Sequence, residues 1–288
     1  MQKTLHVIIG ATASGKTSYA IELAQKLNCE IVSADSRQIF KEMNIGVARP
    51  TKEELKKVKH HLIADWSITE NYNAARYEKQ AIEVINSLFL NYDNVILCGG
   101  SGMYVNAVIN GIDDMPDTPQ DLRKNLNEEL KSKGLETLLE ELKTKDGKYY
   151  AEVDKQNARR ILRALEVIRL TGKPFSSFRK NEKRKRNFDI KITGLQRDRK
   201  ELINRIDKRV DIMINEGLID EVRSLVDYKS LPALSTVGYR ELFDYFDNKT
   251  SLSQAVESIK IHTRQYAKRQ MTWFRKTENV NWVTLCSN

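Results

Sequence analysis

The stretch that most constrains this chain is Gly10-Ala11-Thr12-Ala13-Ser14-Gly15-Lys16-Thr17. An apolar run, Leu5 to Ile9, precedes it with the character of a strand, and Ser18 to Leu27 follows with helical spacing. Strand, then G-x-x-x-x-G-K-T, then helix is a phosphate-binding loop in its full context. Two glycines let the backbone curl until successive N–H groups converge on an anion. The helix N-terminus adds partial positive charge, Lys16 adds a full one, and the Thr17 hydroxyl suits a magnesium ion. Whose phosphates the loop holds is not written in it.

Strands and helices alternate through the segment that follows. Glu30 to Ala34 reads as a second strand, His60 to Ile63 as a short third and Val95 to Cys98 as a fourth. Ala74 to Leu90 sets Ala81, Ile82, Ile85 and Leu88 on one side of a helix, and another helix starts at Met103. The expected fold is α/β, a P-loop NTPase-like parallel sheet flanked by helices. From Gly111 to Asn187 helices and charge replace strands. Arg123 to Lys143 reads as two helices broken at Gly134. Asn157 to Leu170 turns Ile161, Leu162, Leu165 and Ile168 inward and Arg159 and Arg163 outward. Phe188 to Leu195 returns to the sheet, and Val280 to Leu285 adds a last strand after a helical C-terminal region. The expected division is a core domain of residues 1–112 and 187–288, with an inserted all-helical domain at 113–186.

At 288 residues, with 40% hydrophobic and 30% charged side chains, the composition is that of a soluble globular protein. No apolar stretch approaches bilayer length and no export signal opens the chain, so no membrane partner is expected. Cys29, Cys98 and Cys286 form no CxxC pair, which argues against structural zinc and a disulfide framework and suits a reducing cytoplasm. The net charge of +9 favours a polyanionic partner modestly; its distribution says more. In the helix from Leu252 to Lys276, Lys260, Arg264, Lys268 and Arg275 share one face beside Ile259, Tyr266, Trp273 and Phe274. Such a row is either a solvated face or a phosphate-backbone contact. The aromatic neighbours, and the lack of any acid between Ser258 and Thr277, favour contact.

Asp35 follows the second strand and should share the crevice at the carboxyl ends of the strands with the phosphate loop. It reads as a general base or, equally, as a helix N-cap. The apolar run ending at Cys98 leads into Gly99-Gly100-Ser101-Gly102 instead of the acid that nucleotide hydrolases carry there. That loop is either a second anion cradle with Ser101 as donor or a plain helix cap. A transferase is favoured over an ATPase, with a small-molecule kinase as the alternative. His60 and His61 point to opposite faces of a strand, so no metal site is expected there.

Taken together, the motifs resemble the tRNA dimethylallyltransferases. They are the phosphate loop, Ser33-Ala-Asp-Ser36 with Gln38, Asn44-Ile-Gly-Val-Ala-Arg-Pro50, His60-His-Leu-Ile63 and Gly99-Gly-Ser-Gly-Met-Tyr104. Arg159-Arg-Ile-Leu-Arg-Ala-Leu-Glu-Val167, Val237-Gly-Tyr-Arg240 and Arg264-Gln-Tyr-Ala-Lys-Arg-Gln-Met-Thr-Trp273 extend the likeness over nearly the whole chain. The resemblance implies transfer of a dimethylallyl group from dimethylallyl diphosphate to the exocyclic amine of an adenosine beside the tRNA anticodon. It implies Lys16 and Thr17 on the diphosphate with Mg2+, Asp35 as base, Ser101 in place of the usual threonine, and Arg223 on the diphosphate. It also implies tRNA contacts at Asp35, Ser36, Arg37, Gln38, Ser101 and Arg123. Further contacts are implied at Arg159, Arg160, Ile161, Leu162 and Arg163, and at Thr236, Val237, Gly238, Tyr239, Arg240 and Glu241. Lys260, Arg264 and Lys268 join these from the charge reading. The partners expected are the tRNA anticodon stem-loop and dimethylallyl diphosphate, with the protein a cytoplasmic monomer. Eukaryotic members add a C-terminal zinc finger; this chain has none, so the bacterial form is expected.

Overall fold

The computed structural model describes residues 2–180 and 182–285. β1 (Thr4–Gly10), α1 (Lys16–Leu27), β2 (Ile31–Ser33), α2 (Lys52–Lys57), β3 (His60–His61), α3 (Ala74–Leu88), β4 (Asn94–Cys98) and α4 (Gly102–Asn110) come first. The helices α5 (Gln120–Lys145), α6 (Gly147–Glu152) and α7 (Ala158–Thr171) follow. Then come β5 (Asp189–Gln196), α8 (Arg199–Asn215), α9 (Leu218–Arg223), α10 (Tyr239–Phe246), α11 (Leu252–Phe274) and β6 (Val280–Thr284). The strands form one parallel sheet in the order β3-β2-β4-β1-β5-β6. All carboxyl ends therefore lie along one edge. The chain steps from β1 to β2 on one side of it and later to β5 on the other. A reversal of this kind opens a crevice above β1.

The alternation of side chains explains why the central strands β1 and β4 are mostly apolar, His6 of β1 being an exception that bonds Asn94. Leu5, Val7 and Ile9 of β1, with Val95 and Leu97 of β4, join Tyr77, Ile85, Val105, Leu242 and Phe274 on one face. Ile8 and Ile96 point the other way, onto Ala20, Ile21 and Ala24 of α1. A strand buried on both faces needs apolar residues at every position.

Most element boundaries shift by a residue or two, and two of the shifts are instructive. The third strand stops at His61 because Leu62 (φ 61°) and Ala64 (φ 56°) turn left-handed, which no strand continues through. α3 ends at Leu88, leaving Leu90 83% exposed.

Residues up to Asn110 and from Lys185 form one compact unit, and Gly111–Arg184 a second, whose limits fall two residues ahead of the expected 113–186. Within the second unit α5 breaks at Gly134 (φ 79°, ψ 172°), a conformation that glycine adopts without strain. Arg169 of α7 clamps both halves of α5, donating to Glu129 before the break (2.6 Å) and Glu141 after it (2.9 Å). Leu126, Leu138, Leu142, Ile161, Leu165 and Ile168 are the core beneath. No helix among the described residues is long and apolar enough to cross a membrane. Cys29 and Cys98 are free thiols; Cys286 lies outside the described residues.

Candidate active site

The phosphate loop leaves β1 at Gly10, where an added Cβ would sit 2.6 Å from the Leu195 carbonyl of β5. α1 opens at Gly15 (φ 101°) with no side-chain cap and no acid in its first turn. Its N-terminal N–H groups are thus left for an external anion. Lys16 Nζ donates to the Ala11 carbonyl at 2.5 Å, so the ammonium folds over the cradle. Burial lowers its pKa to about 8.

A collar of arginines grips the loop. Arg197 Nε donates to the Ser14 carbonyl at 2.9 Å and Arg205 Nε to the Ala13 carbonyl at 2.8 Å. Arg209 Nη1 donates to Thr12 Oγ1 at 3.2 Å, and burial pulls its pKa below the usual value. Arg205 and Arg209 are one helical turn apart on α8, beside the buried pair Ile206 and Val210. Reading the sequence did not find this collar, although the spacing of the two arginines is a signal.

Ser101 closes the loop that leaves β4, directly before α4. Gly99 lies so close to the Ala34 carbonyl that a Cβ would fall 2.1 Å from it. This approach lets Ser101 N–H donate to the Ala34 carbonyl (3.2 Å), while Ser101 Oγ accepts from Ser36 N–H at 2.9 Å. The neighbouring Asp35 serves its own loop with one oxygen: Oδ1 accepts from Arg37 N–H (2.9 Å) and Gln38 N–H (3.3 Å). Its Oδ2 has no hydrogen-bond partner among the described residues. The cap and the base are therefore compatible, each using a different oxygen.

Several expected positions lie elsewhere. Arg223 is exposed on α9 and stacks on Phe246 at 4.6 Å, because Leu218 and Val222 take the buried face. No contact joins it to the phosphate loop among the described residues, whereas Arg209 bonds Thr12 there. Lys260 and Arg264 face acids supplied by α8. Lys260 pairs with Asp211 at 2.6 Å, and Arg264 makes a bidentate pair with Asp207 at 2.9 and 2.7 Å. The acids missing between Ser258 and Thr277 come from its neighbour, and Glu257 of α11 itself lies 3.9 Å from Arg264. Lys268 and Arg269 remain exposed.

Ile161 and Leu162 are core residues of the helical unit, 0% and 9% exposed. Arg163 donates to Thr118 Oγ1 at 2.6 Å and Arg123 to Glu166 at 3.2 Å, whereas Arg159 and Arg160 are exposed. Tyr239 and Glu241 are likewise buried, the latter accepting from Gly238 N–H (2.8 Å) and paired with His262 (2.6 Å). Thr236 and Val237 are half-buried and Arg240 is exposed. Gln38 turns its amide onto the carbonyls of Val47 and Ala48, and Arg37 onto that of Pro232. His60 and His61 bond Val58 and Glu30.

A parallel sheet with a phosphate cradle after β1, a carboxylate after β2 and a hydroxyl after β4 defines a group-transferring enzyme of the P-loop class. The IPP transferase family model matches residues 38–277, and the chain belongs to that family. Among its relatives, tRNA dimethylallyltransferase of Flavobacterium johnsoniae is 48% identical over 286 residues, 97% of this chain and 93% of that protein. tRNA dimethylallyltransferase 1 of Bacteroides thetaiotaomicron is 46% identical over 279 residues, 97% and 91% of the two chains. The solved tRNA isopentenylpyrophosphate transferase of Bacillus halodurans shares 37% identity with a TM-score of 0.72, covering 98% of this chain and 90% of that one. A eukaryotic dimethylallyltransferase solved in action on tRNA gives a TM-score of 0.84 at 26% identity, covering 98% and 74%.

Proposed function

We propose that this chain transfers a dimethylallyl group from dimethylallyl diphosphate to the N6 amine of the adenosine 3′-adjacent to the tRNA anticodon, releasing diphosphate. Near-full-length likeness to tRNA dimethylallyltransferases supports the reaction. The observation that carries the residue roles is the Ser36–Ser101 hydrogen bond. It joins the loop of Asp35 to the loop of Ser101 beside the phosphate cradle.

The bond that breaks joins C1 of the dimethylallyl group to the diphosphate oxygen, and the bond that forms joins C1 to N6. Negative charge grows on the diphosphate as it leaves. Lys16 and the α1 N-terminus are the donors we assign to that charge, with Arg209, bonded to Thr12 Oγ1, adding positive charge to the loop; such preorganisation is usually the largest single term in catalysis. Ser101 Oγ serves the departing oxygen. An adenine amine attacks well only if its proton is accepted, and Asp35 Oδ2 is the acceptor we assign.

Magnesium fits this site as a companion of the substrate. The Thr17 hydroxyl has no hydrogen-bond partner among the described residues, and one hydroxyl with substrate phosphates is a donor set that Mg2+ takes. When bound there it would neutralise charge on the leaving diphosphate. Arg159 and Arg160, and separately Arg240, Lys268 and Arg269, are exposed cations suited to the phosphates of the anticodon stem-loop. A cytoplasmic monomer is the form this reading assigns.

The test is incubation with labelled dimethylallyl diphosphate and either unmodified tRNA or AMP. Label in tRNA is expected. Label in AMP alone would overturn the reading, and transfer of the terminal phosphate of ATP would favour a kinase.

A further inference from the structure

Gln270 lies about one turn before the end of α11, 7% exposed, between two loops that are far from it in sequence. Its Oε1 accepts from Thr12 N–H of the phosphate loop at 2.8 Å. Its Nε2 donates to the Gly100 carbonyl of the β4 loop at 2.8 Å. Both ends of one planar amide are thus used, each on a main-chain group one or two bonds' reach from a residue of the site. The amide approaches the main chain closely: a Cβ at Gly100 would fall 2.4 Å from Gln270 Nε2. Trp273, three residues further on the same helix, packs on Gly102 closely enough that a Cβ would fall 2.4 Å from its ring. α11 therefore backs the Gly100–Gly102 segment on both sides of Ser101.

We propose that Gln270 is a positioning residue that sets the separation between the diphosphate cradle and the Ser101 hydroxyl. The inference rests on the role proposed above for Ser101. A leaving group is stabilised only where the donors meet it at hydrogen-bond distance, and a displacement of about 1 Å costs on the order of 10²-fold in rate. Two separate loops hold such a distance poorly unless something spans them. An amide that accepts from one and donates to the other does so with both bonds oriented. Both bonds end on main-chain groups, so Gln270 acts through Thr12 and Gly100.

The experiment is a double-mutant cycle of Gln270→Met with Ser101→Ala, read by single-turnover transfer to tRNA under saturating dimethylallyl diphosphate. Methionine matches glutamine in length and suits the neighbouring Ala11, Ala267 and Met271 while removing both hydrogen bonds. Gln270→Met is expected to slow transfer roughly 10- to 100-fold in the otherwise unaltered enzyme, with tRNA affinity within about twofold. In the Ser101→Ala background the same change is expected to cost less than about threefold, since the hydroxyl it positions is gone. Equal losses in both backgrounds would overturn the inference while leaving the reaction intact. Ser101→Ala without any loss would instead remove the role of Ser101, and this inference with it. Should Gln270→Met fail to fold, Gly100→Ala displaces the amide with Gln270 intact and is expected to show the same coupling to Ser101; additivity there overturns it equally.

Discussion

The Tyr239 hydroxyl donates to Glu221 Oε1 at 2.6 Å, on a carboxylate that already accepts three main-chain N–H groups. Those come from Asn44 (3.1 Å), Ile45 (2.7 Å) and Gly46 (3.0 Å), so Glu221 occupies a small anion nest built by the Asn44–Gly46 loop. Gly46 has no room for a side chain, because a Cβ would fall 2.6 Å from the Tyr239 ring. The loop continues to Val47 and Ala48, whose carbonyls hold Gln38, three residues from Asp35. Glu221 thereby anchors the ground on which the proposed base stands.

Glu221→Ala leaves four donors without their acceptor and is expected to destabilise the protein by roughly 3 kcal/mol or more. Tyr239→Phe removes a single hydrogen bond and is expected to cost about 1 kcal/mol. Urea unfolding of both variants checks the order; equal losses would mean that the nest contributes nothing.

Arg209 and Arg223 make opposite predictions. Arg209 is held on the phosphate loop and Arg223 on Phe246. Arg209→Gln is expected to weaken inorganic diphosphate binding about tenfold or more, and Arg223→Gln less than about twofold. Titration calorimetry with magnesium present distinguishes them, and the reverse order would restore Arg223 to the site.

Asp35→Asn separates the two uses of that carboxylate. The amide oxygen still accepts from Arg37 and Gln38, as Oδ1 does now, but the side chain no longer takes a proton. Turnover is expected to fall about 10²- to 10⁴-fold with tRNA affinity nearly unchanged. Unchanged turnover would leave Asp35 as a loop cap and nothing more.

The pH dependence of diphosphate binding follows from Lys16. Its ammonium is present below about pH 8 and is lost as pH rises through that value, well before an ordinary lysine would deprotonate. Bound diphosphate favours the charged form. Affinity is therefore expected to fall by up to about tenfold per unit above pH 8, as the free enzyme loses the proton that the complex retains. Comparison with Lys16→Met removes the titration of diphosphate itself, since only the native slope should exceed the variant's.

Salt titrations of tRNA binding divide the α11 cations. Lys268→Met is expected to reduce the slope of log K against log salt by about one, as for one phosphate contact. Lys260→Met should leave the slope unchanged, because Lys260 already pairs with Asp211. Equal slopes for both variants would mean that Lys268 is a solvated side chain.

What the sequence determined by itself was local or periodic. The phosphate loop is an eight-residue pattern between a strand and a helix, and β1 and β4 announce themselves as largely apolar runs of the kind a buried parallel sheet needs. The break at Gly134, the apolar stripe of α7 and the positions of Asp35 and Ser101 at strand ends were legible for the same reason. Tertiary structure decided what those residues meet. Arg209 reaches Thr12 across 197 residues and Gln270 reaches it across 258, distances over which no spacing rule operates. Lys260 and Arg264 read as uncompensated because their acids, Asp211 and Asp207, belong to α8. Asp35 read evenly as cap or base because one carboxylate carries two oxygens, and only the folded loop shows that a single one of them is taken.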